Sequence, residues 1–256
     1  MTAYTGKFEV PEVDFVMFSL FDESSGLLIL SAREIDGFFG VSAGRYPDVV
    51  FRGVTEFQSG RVKVEEATLH IIDRKRTKIG EYWVGRAISD RAMNSSSGPV
   101  LDSVVFRQFD GRCECRDAVA VWRRWASAEL KSNEWAHWPA SYHSAWLHVA
   151  QNSWFFGERL HVATEADRSV VYLAGKVVLT KASFFCALGE AVNGPGGYFG
   201  SNLDALVDCI RSNLGGASLS KIVWRDFDTS RQVLDADFLD SLIAVMDEFS
   251  IVLEFV

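Results

Sequence analysis

Cysteine and proline are scarce. The 256 residues include 4 Cys and 5 Pro. Cys113, Cys115, Cys186 and Cys209 show no framework spacing, so a disulfide-stapled secreted scaffold is not expected and reduced thiols in a cytoplasm are. Low proline with 48% hydrophobic residues excludes disordered, collagen-like and low-complexity chains. Long apolar runs are missing: none approaches the ~18 residues of a membrane span. Met1–Val10 lacks a cationic stretch followed by an apolar one, so no signal peptide is expected. Basic charge is in deficit, with 26 Lys and Arg against 34 Asp and Glu, a net charge of −8. That balance weighs against a general polyanion binder and permits a basic partner.

Familiar catalytic patterns are missing as well. There is no Gly-x-Ser-x-Gly elbow, so serine hydrolase chemistry has no support. Cys113-x-Cys115 is too close-set for a zinc knuckle, and no second cysteine pair follows. His137, His143 and His148 lie six and five residues apart, which does not place them on one helical face as His-Glu-x-x-His does. No metal site and no cofactor are expected. Arg74, Lys75, Arg76 and Lys78 form a short basic cluster that reads as a solvated turn, with a phosphate contact or a self-association patch as the alternatives.

Aromatic residues are plentiful: 8 Trp, 19 Phe and 6 Tyr supply a large core. Seven of the tryptophans precede residue 170, and six of them fall between Trp122 and Trp154. This clustering reads as core or interdomain packing. Charge is distributed the other way. Residues 170–256 hold eleven acidic and six basic side chains, net −5, against net −3 for everything upstream. The polar run Thr164–Ser169 marks the junction. Two domains are therefore expected, a β-rich domain over 1–165 with a Trp-rich helical end and an α/β domain over 168–256.

In the first domain, Phe15–Phe21 and Leu27–Leu30 flank the turn cluster Asp22–Gly26, a hairpin signal. Thr68–Ile72 and Ile79–Val84 form a second pair. Asn94–Pro99 reads as a loop, and Arg116–Leu130 and Ala140–Gln151 as helices. Downstream, strands at Val170–Leu173, Lys221–Trp224 and Ile251–Phe255 alternate with helices near Ser183–Val192, with Ser183 as its cap, Ser201–Asn213 and Phe238–Phe249. That rhythm predicts a small parallel sheet with packed helices, and the run Ile251-Val252-Leu253 a central or well-covered strand. The fold class is α+β upstream and α/β downstream.

The run Asn193–Gly200 is glycine-rich but follows a helix rather than a strand, and no Lys-Ser or Lys-Thr follows, so it is neither a dinucleotide fingerprint nor a P-loop. In the helix behind it, Leu203, Leu206, Val207 and Ile210 sit at i, i+3, i+4, i+7 and read as the buried stripe. Asp204 and Asp208 sit at i, i+4 on another face, where like charges repel by a few tenths of a kcal/mol. Asp204 lies in the first turn, where the dipole favours it, and Ser201 with Asp204 resembles a capping box. Asp208 has no such support. The pair reads either as a solvated face or as a preorganised anionic surface for a cation, with Tyr198 a rigid aromatic anchor beside it.

Tyr198-Phe199-Gly200-x-Asn202-Leu203-Asp204-Ala205-Leu206-x-Asp208-Cys209 resembles the barstar family of ribonuclease inhibitors. Trp224-Arg225-x-Phe227-x-x-Ser230-x-Gln232 follows in the family's order, and Glu248 falls where the family carries a contact glutamate. The resemblance covers the last third of the chain. It implies a cytoplasmic, non-enzymatic immunity protein, one half of a toxin–antitoxin pair. The implied partner is a basic secreted-type ribonuclease, with neither nucleic acid nor membrane bound. Asp208 would enter the enzyme's phosphate-binding site, Asp204 and Glu248 would meet further cations, and Tyr198 would pack near its catalytic centre. Gly200 would allow close backbone approach, with Asn202 beside it in the same partner-binding set. The chain departs from the best-known family member at Val207 and Asn213, where that member carries tryptophan, and its Gly-Pro-Gly-Gly entry loop is one residue longer than expected. An alternative is that the first domain is an enzyme or a nucleic-acid module, with the second regulating or docking it; another makes the barstar-like part a general interaction module.

Overall fold

The computed structural model describes residues 12–40, 47–58, 62–89, 103–158, 169–214 and 219–256. The N-terminal stretch Met1–Val10, the Asn94–Pro99 loop and all of the Thr164–Ser169 junction except Ser169 lie outside the described residues. Two compact units emerge: Met1–Glu129 with Phe155–Arg159, and Leu130–Trp154 with Leu160–Val256.

In the first unit, β1 (Phe18–Asp22), β2 (Leu28–Asp36), β3 (Val49–Phe57), β4 (Lys63–Ile72), β5 (Lys78–Ser89) and β6 (Ser103–Phe109) form a closed antiparallel barrel in the order β1-β2-β3-β6-β5-β4. Closure leaves no free sheet edge. The predicted hairpins are β1–β2 and β4–β5. Along β1 the strand period puts Phe18 and Leu20 on one face and Ser19 on the other, and all three are buried. Phe18, Phe38, Phe51 and Phe106 are fully buried, and Phe51 meets Phe106 edge-on at 5.6 Å. Helix α1 (Ala118–Ser127) buries Trp122 and Trp125, and the Trp122 indole N–H donates to the Tyr82 hydroxyl at 2.9 Å.

The second unit carries a three-stranded parallel sheet in the order β7-β8-β9, formed by Val170–Ala174, Lys221–Arg225 and Val252–Phe255. The expected α/β architecture is present. Its helices are α2 (His143–Phe156, whose last two residues belong to the first unit), α3 (Lys181–Asn193), α4 (Leu203–Arg211), α5 (Phe227–Arg231) and α6 (Ala236–Glu248). Strand β9 is an edge, not a central strand: Ile251 just before it is buried, but Val252 is exposed. The central strand is β8, whose Ile222, Val223 and Trp224 are buried.

Caps set the helix starts. Thr180, not Ser183, caps α3: its hydroxyl accepts the Ser183 amide at 3.0 Å, and the Ser183 hydroxyl accepts the Thr180 amide at 2.7 Å. The short helix α5 had no sequence counterpart. It closes a relay in which Trp224 Nε1 donates to Ser230 Oγ at 3.1 Å and Ser230 donates to the Gly175 carbonyl at 3.0 Å. Phe227 stacks on Phe255 with ring centroids 4.0 Å apart. The Trp224–Gln232 block is thus largely a folding motif.

The Trp-rich segment groups with the second unit from Leu130 onward, upstream of the polar run that composition singles out. Its attachment is specific. The Asn133 amide donates to a Glu190 carboxylate oxygen on α3 at 2.6 Å, and the Cys186 thiol lies 3.7 Å from the His143 carbonyl. Trp135 and Trp146 are buried in this unit, and Trp146 packs edge-on to Trp138 at 5.5 Å. A fragment beginning at Leu130 should therefore melt about 10 °C or more above one beginning at Ser169, since losing such packing removes several kcal/mol. Equal calorimetric midpoints would show that the segment is not integral to the unit.

Candidate functional site

The acidic helix is held at its entry. Tyr198 and Phe199 are buried, 2% and 0% exposed, and wedge the chain into the unit just before α4. The Asn193 side-chain amide donates to the Tyr198 carbonyl at 2.7 Å. The Gly196 amide donates to Glu190 Oε1 at 3.1 Å. Gly200 adopts φ +98°, and a Cβ there would sit 2.9 Å from the backbone N and Cα of Leu206, so only glycine lets the loop pass. Asn202, not Ser201, is the N-cap, its side-chain oxygen accepting the Ala205 amide at 2.8 Å. The Ser201 hydroxyl instead lies 3.4 Å from the Tyr198 hydroxyl.

Asp204 and Asp208 are exposed on α4, and no cation among the described residues pairs with either. Asp204 occupies the first turn, where unpaired backbone N–H groups favour negative charge. Asp208 lies beyond that help.

The apolar stripe is only partly buried. Leu206 and Cys209 are covered, whereas Leu203, Val207 and Ile210 are half-exposed. The spacing correctly put them on one side of the helix, but the unit does not cover all of that side. The result is an exposed carboxylate pair flanked by half-exposed aliphatic side chains. Tyr198 is not the exposed ring that its place in the sequence suggests: it packs beneath the helix entry, and burial pushes its hydroxyl pKa up. Burial, helped by the Asp208 charge, pushes the Cys209 thiol up to about 11, so it stays protonated and packs as a small apolar group.

Glu248, at the end of α6, is exposed but engaged. Arg211, in the last turn of α4, donates to its carboxylate at 3.4 Å and lies over the Phe249 ring at 5.5 Å. Both partners are more than half exposed, so the pair is weak and exchangeable. A partner's cation must compete with Arg211 for Glu248, whereas Asp204 and Asp208 are unoccupied. Nothing in the sequence pattern flagged Arg211; the contact joins two residues on different helices that are 37 positions apart in sequence.

The other sequence candidates disperse. Among the described residues, no group of three or more His, Cys, Asp or Glu side chains converges on a point. His143 is buried against Trp135, His137 is exposed, and burial lowers the pKa of both His143 and His148. None of the four cysteines forms a disulfide. No described helix is long and apolar enough to cross a membrane.

Residues 168–253 match the family model Barstar (barnase inhibitor). The match spans β7 through the first half of β9 and so includes Gly200, the capped helix, the Trp224–Ser230 relay and Glu248. It leaves out the barrel and the Leu130–Trp154 segment. The family's members are inhibitors rather than enzymes, and the C-terminal third takes a barnase-inhibitor-like character from them. No curated protein matches the chain.

Two substitutions test the support of the barstar-like helix. Gly200→Ala should destabilise the second unit by about 2–4 kcal/mol in urea unfolding, combining left-handed strain with a backbone clash. Gly194→Ala, at φ +79° and ψ −176° with open space around its Cβ position, should cost only the backbone strain, about 1–2 kcal/mol, with no clash added. Similar losses at both positions would contradict the close approach at Gly200.

Glu190 gives a pH test. Burial pushes its pKa up to about 6, so the folded state holds this proton more tightly than the unfolded state. Its contribution is greatest below the ordinary carboxylate range, declines as pH rises towards 6 and is flat above. The total is about 2 kcal/mol. Glu190→Gln should remove that slope from the wild-type stability profile between about pH 4.5 and 6; an unchanged slope would contradict the raised pKa.

Proposed function

We propose that the second unit binds and blocks the cationic active site of a barnase-like ribonuclease, with the α4 carboxylates taking the place of RNA phosphates. The observation that carries this reading is the Asp204–Asp208 pair: exposed, unpaired, one turn apart, and fixed on a capped helix within the family-matched stretch. A ribonuclease must gather Arg, Lys or His side chains to hold a phosphodiester. Carboxylates presented at fixed separation satisfy the same donors through charge-assisted hydrogen bonds. Because the helix is pinned at Gly200, Asn202 and Glu190, little ordering is left for the moment of binding.

Asp208 is the central contact and Asp204 its neighbour. Glu248 contributes once Arg211 has been displaced. Gly200 and Asn202 bring the helix entry close to the enzyme, with Tyr198 supporting it from beneath. The half-exposed Leu203, Val207 and Ile210 supply the apolar surround that excludes water from the charge pairs. With aliphatic and polar side chains at Val207 and Asn213, the surface is flatter than the family pattern and suits a target with bulkier residues around its phosphate site. Such a protein acts where the enzyme is made, as a cytoplasmic immunity protein of a toxin–antitoxin pair.

The test is titration of a barnase-like ribonuclease with the full chain. Asp208→Ala should weaken binding by two orders of magnitude or more, about 3 kcal/mol, because it removes a central charge and strands the cations that faced it. Asp240→Ala, an exposed acid on α6, should change affinity by about twofold or less. Asp235 is unsuitable as a control because it caps α6 by accepting the Phe238 amide at 3.1 Å. Equal small losses from Asp208→Ala and Asp240→Ala would overturn the assignment.

A further inference from the structure

The barrel has a cleft of its own, on the outer face of β1, β2 and β3, about 450 Å³ in volume. This lies within the range of small-molecule sites. Its floor holds Ser19 and Ser31, 6% and 5% exposed, which face each other across β1 and β2. Their hydroxyls share one hydrogen bond at 3.2 Å. Two hydroxyls carry two hydrogens, and one bond uses one of them, so one buried O–H has no acceptor among the described residues. Beside them, Thr55 donates to the Ser31 carbonyl at 3.4 Å.

Three guanidinium groups rim this floor. Arg33 follows Ser31 by two residues on β2 and so projects from the same face. Its stem lies against Gly53, where φ is +59° and a Cβ would come within 3.2–3.3 Å of it, so the glycine makes room for the arginine. Arg74 and Arg76 come from the β4–β5 turn. That turn is fixed by Asp73, whose carboxylate accepts the amides of Lys75 and Thr77 at 2.9 Å each. Arg74 also donates to the Ser127 carbonyl at 3.2 Å. None of the three arginines has a carboxylate partner among the described residues, in a chain that carries an acidic excess.

We infer that this cleft binds a small phosphorylated molecule. The arrangement gathers donors from several sides, forked guanidinium groups from two elements and a spare hydroxyl hydrogen on the floor, while the Asp73 carboxylate in the lining is engaged by the amides of Lys75 and Thr77. An acceptor-only, tetrahedral group with several oxygens fits donors that come from different sides better than a planar carboxylate does. Phe15 and Ile72 line the cleft and supply an apolar wall for the organic part of the ligand. Asp14 and Glu56 stand exposed in the lining, which disfavours a continuous polyphosphate track and selects a compact ligand over RNA. The basic cluster of the β4–β5 turn, a bare charge run in the sequence, thereby gains a specific role. The site is independent of the acidic helix, and its failure would leave the ribonuclease reading untouched.

Calorimetric titration of the full chain with inorganic phosphate, a nucleoside monophosphate, citrate and a short RNA decides the matter. The nucleoside monophosphate should bind saturably with one-to-one stoichiometry and a Kd below about 1 mM. The Arg33→Gln, Arg76→Gln double variant should weaken it about tenfold or more, and Ser31→Ala should weaken it severalfold, by removing part of the hydroxyl floor. Both variants should keep the wild-type melting midpoint, since the arginines are exposed and Ser→Ala is small; if Ser31→Ala lowers it, the arginine variant alone carries the test. Absence of saturable binding by either phosphate probe, citrate binding as tight as the monophosphate, binding confined to RNA, or affinity indifferent to the two arginines would each overturn the proposal.

Discussion

Two negative charges one helical turn apart repel each other, and the structure around α4 holds them there. Repulsion of a few tenths of a kcal/mol is small beside what fixes the helix: a side-chain cap at Asn202, a backbone passage at Gly200 that admits no Cβ, and two buried aromatic residues at the entry. Glu190 extends the constraint by holding the glycine loop through Gly196 and the upstream segment through Asn133. One half-buried carboxylate thereby ties the acidic helix to residues well outside the family-matched stretch.

The placement of charge matters more than its total. Of the net −8, the last 87 residues hold −5, and the two carboxylates of α4 pair with no cation among the described residues while Glu248 is shared with Arg211. The barrel gathers three guanidinium groups around a hydroxyl floor, none with a carboxylate partner among the described residues, although Asp14, Glu56 and Asp73 share the lining. An acidic chain thus presents an exposed carboxylate pair in one unit and an arginine-rimmed cleft in the other. Composition alone averages the two away.

The sequence made the periodic elements legible and left the contacts between them unread. Alternation in Phe18–Asp22 and the turn at Asp22–Gly26 located the first hairpin, and the strand–helix rhythm after Val170 located the parallel sheet. Closure of the barrel rests on β1 meeting β4, about fifty residues away, which no local pattern encodes. The helix around Leu206 was visible from its spacing, but how much of its apolar side is covered depends on neighbours, so Leu203, Val207 and Ile210 read as buried when they are half-exposed. The caps were misplaced by one residue at α4 and by three at α3, because Ser and Asn or Thr compete for the same role and backbone geometry decides. Tyr198 read as an anchor from its position beside the acids, yet the turn at Gly200 folds its ring inward. The Trp-rich stretch read as an extension of the barrel, although Glu190 and Cys186 fasten most of it to the other unit.

The central claim is that carboxylates on α4 occupy the place of phosphates in a ribonuclease active site. Competition measures this most directly: a barnase-like ribonuclease is loaded with a mononucleotide that fills its phosphate site, and its affinity for the full chain is determined as nucleotide rises. Mutual exclusion, with apparent affinity falling in proportion to nucleotide occupancy, is the result expected of phosphate mimicry. Binding that is indifferent to a filled phosphate site would contradict it.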